Sequence, residues 1–145
     1  MDSQSSRPTA SIIYASQSIE RNKAMSVDDT VYVVQRPKEN KFGWTPDLSD
    51  AARYGKLRIL FEDGDKPQFQ PDHAISKARE RLQDFGPNDY ILWAGGGDPI
   101  AVMIACTVAS EMSDEVNILR WERNHNARSS DTQVGFYMPV TLNLG

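Results

Sequence analysis

One stretch constrains this chain more than any other: Asp89-Tyr90-Ile91-Leu92-Trp93-Ala94-Gly95-Gly96-Gly97-Asp98-Pro99, continued by the apolar run Ile100 to Ala109. A short apolar segment ended by three glycines reads as a buried strand running into a turn. Asp98 then suits a helix N-cap, and Pro99 the first helical position, where a missing backbone N–H leaves nothing unpaired. Strand, glycine turn and helix make the step from which parallel sheets are built. Ligands in such sheets gather at that turn.

The flanking segments extend the pattern. Val31 to Gln35 is a strand by its β-branched and aromatic content, stopped by Pro37. Lys38 to Trp44 is a polar loop. Thr45 and Pro46 predict the cap and start of a short helix over 46–54, with Gly55 as a left-handed C-terminal cap. Lys56 to Phe61 is a second strand, and Glu62 to Pro67 a turn. Pro71-Asp72 opens a helix whose Ile75, Ala78, Leu82 and Phe85 form one apolar stripe, stopped by Gly86-Pro87. The next helix, 99–112, is apolar almost all round, which predicts cover on most sides. Val116 to Trp121 is a fourth strand and 122–133 a polar loop. In the last strand Phe136, Met138, Val140 and Leu142 alternate with Tyr137, Pro139, Thr141 and Asn143, predicting one buried and one wet face. Pro139 marks it as an edge.

This order predicts an α/β fold: an open, mostly parallel five-stranded sheet, strand order 2-1-3-4-5, with helices on both faces and a C-terminal antiparallel hairpin. Residues 30–145 form the single domain. Residues 1–29, polar and serine-rich, read as a flexible arm: either a disordered tail or, in the sharper reading, a segment that orders on a partner with Ile12, Ile13 and Tyr14 as anchor.

Composition narrows the classes of function. A net charge of −4 works against non-specific adhesion to nucleic acid. The lone Cys106 cannot form an intrachain disulfide, and its apolar surroundings mark it as a packing residue. No apolar run reaches the roughly 18 residues of a membrane span. The N-terminus lacks the basic start and apolar core of a secretory signal, so the expected location is cytoplasmic and no membrane partner is expected.

Several constellations bear on chemistry. Gly95, Gly96, Gly97 and Asp98 could cradle a ligand at a helix start. The Lys-Ser or Lys-Thr of a P-loop does not follow them, however, and Ile100 stands where a dinucleotide fingerprint needs glycine or alanine. The carboxylate of Asp98 would repel a phosphate, so a structural turn is the favoured reading, with a cation or sugar hydroxyl as the better ligand. Asp63, Asp65 and Asp98 are expected on one rim of the sheet, where three carboxylates could hold Mg²⁺ for phosphodiester hydrolysis or serve a nucleotide-binding enzyme. The bland alternative is an acidic surface turn plus a helix cap. His73 and His125 read as surface residues. Arg120, Arg123 and Arg128 beside Trp121 could bind single-stranded nucleic acid, but alternation puts Trp121 on the face of Leu119 and leaves the arginines to solvent.

Asp89-Tyr90-Ile91-Leu92, Gly97-Asp98-Pro99-Ile100-Ala101, the run Val116 to Arg123 and the closing Pro139 to Leu144 together resemble small proteins encoded in tailed-bacteriophage genomes. The resemblance spans residues 31–144 and assigns no catalytic residue. It implies a phage-encoded protein acting in an infected bacterium. The arm before Val31, Gly95-Gly96 and the loop near 125–133 depart from the pattern and are where a specialised role would lie. The sequence therefore predicts a non-enzymatic accessory protein without a cofactor. It would bind a phage or host protein through Ile12, Ile13, Tyr14, Arg123 and Arg128, with self-association through the last edge strand as a further option.

Overall fold

The computed structural model describes residues 29–39, 41, 43, 45–94, 97–123 and 135–144. The expected arm, with Ile12, Ile13 and Tyr14, lies outside them, as do Gly95, Gly96, His125 and Arg128. Five strands, β1 (Thr30–Gln35), β2 (Lys56–Phe61), β3 (Tyr90–Trp93), β4 (Glu115–Arg123) and β5 (Gly135–Asn143), form one sheet in the order β2-β1-β3-β4-β5. The first four are parallel and β5 returns antiparallel along β4.

Handedness decides where the connections go. The chain steps one way from β1 to β2, then the other way from β2 to β3 and on to β4. Right-handed crossovers therefore place the first connection on one face and the next two on the other. Accordingly α1 (Pro71–Arg81) and α2 (Pro99–Met112) pack together on one face. Tyr32, Val34, Leu60, Ile91, Ala78, Leu82, Phe85, Ala105 and Val108 form that layer. A 3-10 helix, Ser49–Tyr54, serves the opposite face, where Val31, Val33, Ala51, Tyr54, Tyr90, Leu92, Leu119 and Tyr137 meet. Trp121 joins this second layer on the face of Leu119, as its alternation predicts.

Four local expectations are corrected. Thr45 and Pro46 do not start the first helix. The Asp47 carboxylate accepts from the Ser49 N–H at 2.9 Å, a side-chain turn that starts a 3-10 helix at Ser49 instead. Gly55 is extended and not left-handed; it is glycine because a Cβ there would stand 2.7 Å from the Asp29 carbonyl oxygen. α1 ends at Arg81, well before Gly86, although Leu82 and Phe85 are buried as the stripe requires. α2 is less enclosed than its composition suggests: Ile100 is 39% and Met103 65% exposed.

The last strand also departs from its pattern. Tyr137 is its most buried large side chain, at 1% exposure, while Phe136, Met138 and Val140 are half-buried. The 3-10 helix explains this. Its Asp50 accepts from the Tyr137 N–H at 2.7 Å, and the Tyr54 hydroxyl donates to the Tyr137 carbonyl at 3.2 Å. The outward backbone groups of Tyr137 are thus occupied within the chain. Two residues on, by strand alternation, Pro139 offers no N–H. The β5 edge is blunted for strand pairing. The Trp121 ring lies edge-on to Tyr137, with centroids 5.0 Å apart. It covers Gly135, where a Cβ would also sit 2.7 Å from the Glu122 carbonyl oxygen.

At the N-terminal rim a polar network ties the strands together. Asp89 accepts from the Thr30 and Gly86 N–H groups, each at 2.9 Å. Asn117 donates to the Pro87 carbonyl at 2.6 Å and accepts from the Thr141 hydroxyl at 2.7 Å. Burial nevertheless pushes the Asp89 carboxyl above its ordinary value, with the charges of Asp29 and Asp84 adding to the shift and the two N–H groups opposing it.

Candidate functional site

The C-terminal ends of β1, β2 and β3 open into a cleft of about 640 Å³, within the range of small-molecule sites. Its position follows from topology. The connections after β1 and β3 leave on opposite faces, so their loops diverge and open a crevice between them. Gln35 ends β1 at its floor, and the loops after β2 and β3 form its walls.

Gly97 and Asp98 are built into that floor. The Gln35 side-chain oxygen accepts from the Asp98 N–H at 3.0 Å. Gly97 has φ +72°, and a Cβ there would press on the same oxygen at 3.0 Å. Asp98 caps α2 as expected, accepting from the Ile100 N–H at 2.9 Å. Its carboxylate therefore occupies the helix start where a phosphate would sit.

The three carboxylates do not converge. Asp63 and Asp98 border the cleft. Asp65 turns away into the protein, 6% exposed, and accepts from the Glu62 N–H at 2.8 Å and from Arg81 Nη1 at 2.7 Å. His73 Nε2 stands 3.6 Å from its other oxygen. Burial alone would raise the Asp65 carboxyl, but Arg81, the Glu62 N–H and His73 together hold it below the usual carboxylate value. The expectation of a common site for Asp63, Asp65 and Asp98 is corrected on this ground: Asp65 is committed to pinning the loop after β2 onto α1. Among the described residues no group of three or more His, Cys, Asp or Glu side chains could hold a metal ion.

Two cations of the cleft pair with carboxylates. Arg36 grips the Glu62 carboxylate through Nη2 at 3.0 and 3.1 Å, and Lys38 meets Asp63 at 3.2 Å. Lys66, in a left-handed conformation with φ +45°, adds a further cation. Arg36, Lys38 and Lys66 thus face Glu62, Asp63 and Asp98 in a balanced set. Against this balance stand two exposed aromatics, Phe69 at 77% and Trp93 at 44%.

Phe69 and Trp93 carry no site expectation from sequence. Trp93 closes a strand that reads as buried on both faces, and what exposes it is its place at the strand end, past the cover of the helices. A tryptophan one residue ahead of a glycine run was the available signal. Arg123 lies at the exposed end of β4 opposite Gly135. Arg120 pairs with Glu122 at 2.6 Å. Cys106 is half-buried against the helical layer, and burial pushes its thiol up, consistent with packing.

An open, mostly parallel sheet with a blunted antiparallel edge, a self-capped helix and an aromatic crevice at the switch point defines a small α/β protein. The family described as Phage Pam3 gp32-like protein matches residues 29–141, and the chain belongs to it. It is accordingly a phage-family protein, and the match covers the whole sheet up to Thr141. No curated protein and no solved structure matches the chain. No helix among the described residues is long and apolar enough to cross a membrane.

Proposed function

We propose that this chain is a non-enzymatic phage accessory protein that binds another protein, of phage or host, at the C-terminal rim of its sheet. One observation carries the reading: Arg36 and Lys38 are spent on Glu62 and Asp63 and Asp98 on its helix, while Trp93 and Phe69 stand exposed. Large aromatics beside neutralised charge supply contact area at low conformational cost, the pattern of an interface anchor and its polar surround. The arm, through Ile12, Ile13 and Tyr14, and the segment after β4, through Arg123 and Arg128, add further contacts in this reading.

Capture from phage-infected cells tests this. The tagged chain is expected to retain one defined protein, and Trp93→Ala with Phe69→Ala to lose it while keeping the wild-type melting temperature. Undiminished capture by the double variant would refute the rim as the binding surface. Hydrolysis of a phosphodiester in Mg²⁺ or Mn²⁺, abolished by Asp98→Asn, would replace the reading with an enzymatic one.

A further inference from the structure

A second concavity, of about 270 Å³, lies on the helical face at the outer edge of β2, bordered by Tyr32, Arg58, Glu62 and Arg81. It is separate from the aromatic rim in its chemistry. Tyr32 is 5% exposed, and its hydroxyl has no hydrogen-bond partner among the described residues. Buried tyrosine hydroxyls ordinarily find one, as that of Tyr54 does on the Tyr137 carbonyl. Two guanidinium groups share the concavity. Arg81 spends Nη1 on the Leu60 carbonyl and Asp65, at 2.6 and 2.7 Å, leaving Nε and Nη2 without a protein acceptor among the described residues. Arg58, opposite Tyr32 in the parallel register, makes no ion pair among the described residues. The Glu62 carboxylate on the wall is already held by Arg36.

We infer that this concavity is a phosphoryl site, in which Arg58, Arg81 and the Tyr32 hydroxyl donate to separate oxygens of a phosphate or phosphomonoester. Three donors from three side chains match a tetrahedral oxyanion better than a planar carboxylate, which takes a two-pronged partner. The volume admits a phosphoryl group with a small substituent. Asp84 and Asp89 also act on Tyr32, adding to the upward push of burial on its phenol, while Arg58 opposes it. A bound ligand gains most from Arg58, whose charge has no partner to give up among the described residues.

Calorimetric titration of the full chain with inorganic phosphate, glycerol phosphate and acetate tests the assignment. Both phosphoryl probes are expected to bind and acetate to stay silent, so that phosphate alone against phosphomonoester sets the natural source. Arg58→Gln should weaken phosphate binding about tenfold or more, the worth of a charge-assisted hydrogen bond. Tyr32→Phe should weaken it several-fold, with the melting temperature of each variant checked alongside. Equal heat from acetate, unaltered affinity in folded Arg58→Gln, or no heat at all from phosphate would overturn the site and leave Arg58 as a charge guarding an edge strand.

Discussion

Replacing Asp65 by alanine separates a structural carboxylate from a metal ligand. The substitution removes an ion pair to Arg81 and an acceptor for the Glu62 N–H. Breaking a fully buried pair costs about 3–5 kcal/mol. Here the Arg81 side chain is 31% exposed and keeps the Leu60 carbonyl, so water can rescue much of its charge. The cost reduces to about 2 kcal/mol, and a chain of this size loses about 3–4 °C in melting temperature per kcal/mol. Thermal unfolding followed by circular dichroism should therefore show Asp65→Ala melting about 6–8 °C below wild type. Because the carboxyl lies below its ordinary 3.8 in the folded state, this stabilisation is complete above that pH and fades as pH falls through the folded value. The gap between the two proteins should narrow in acid. Millimolar MgCl₂ should shift both melts equally. A loss under about 2 °C, or a Mg²⁺ stabilisation that vanishes in Asp65→Ala, would refute the reasoning.

Three further outcomes follow from the packing. Burial, then the charges of Asp47 and Asp50, push the Tyr137 phenol up to about 12 from 10.0. Its contribution is intact below the unfolded value and is lost as pH rises through the folded one, so stability should fall between pH 10 and 12. Tyr137→Phe should make that fall shallower in an alkaline denaturation series. Gly135→Ala would drive a methyl group into the Trp121 ring and the Glu122 carbonyl, costing about 1–3 kcal/mol in urea unfolding; a neutral result would mean the hairpin end yields freely. Gln35→Ala removes the acceptor of the Asp98 N–H, and amide exchange at Asp98 should accelerate while exchange in the centre of β1 stays slow.

The sheet was legible because its signals are local and periodic. The apolar runs at Val31, Leu57 and Tyr90, each ended by glycine or proline, mark strands, and alternating helices leave few ways to order them. The Asp98 cap could be read for the same reason, since donor and acceptor lie two residues apart. What escaped the sequence depends on distant partners. Asp65 reads as a rim acid until Arg81, sixteen residues on, is seen to claim it. Tyr137 reads as the wet face of its strand until the 3-10 helix, more than eighty residues earlier, takes its backbone. Trp93 reads as core because the end of helical cover is not written in its neighbours.

The central claim is that recognition happens at the aromatic rim. The chain has three tryptophans, so three indole N–H signals suffice to follow it, with that of Trp93 assigned by its loss in Trp93→Phe. On titrating the captured partner into the labelled protein, the Trp93 signal should move or broaden in step with complex formation. A Trp93 signal that stays unchanged at saturation would contradict the account.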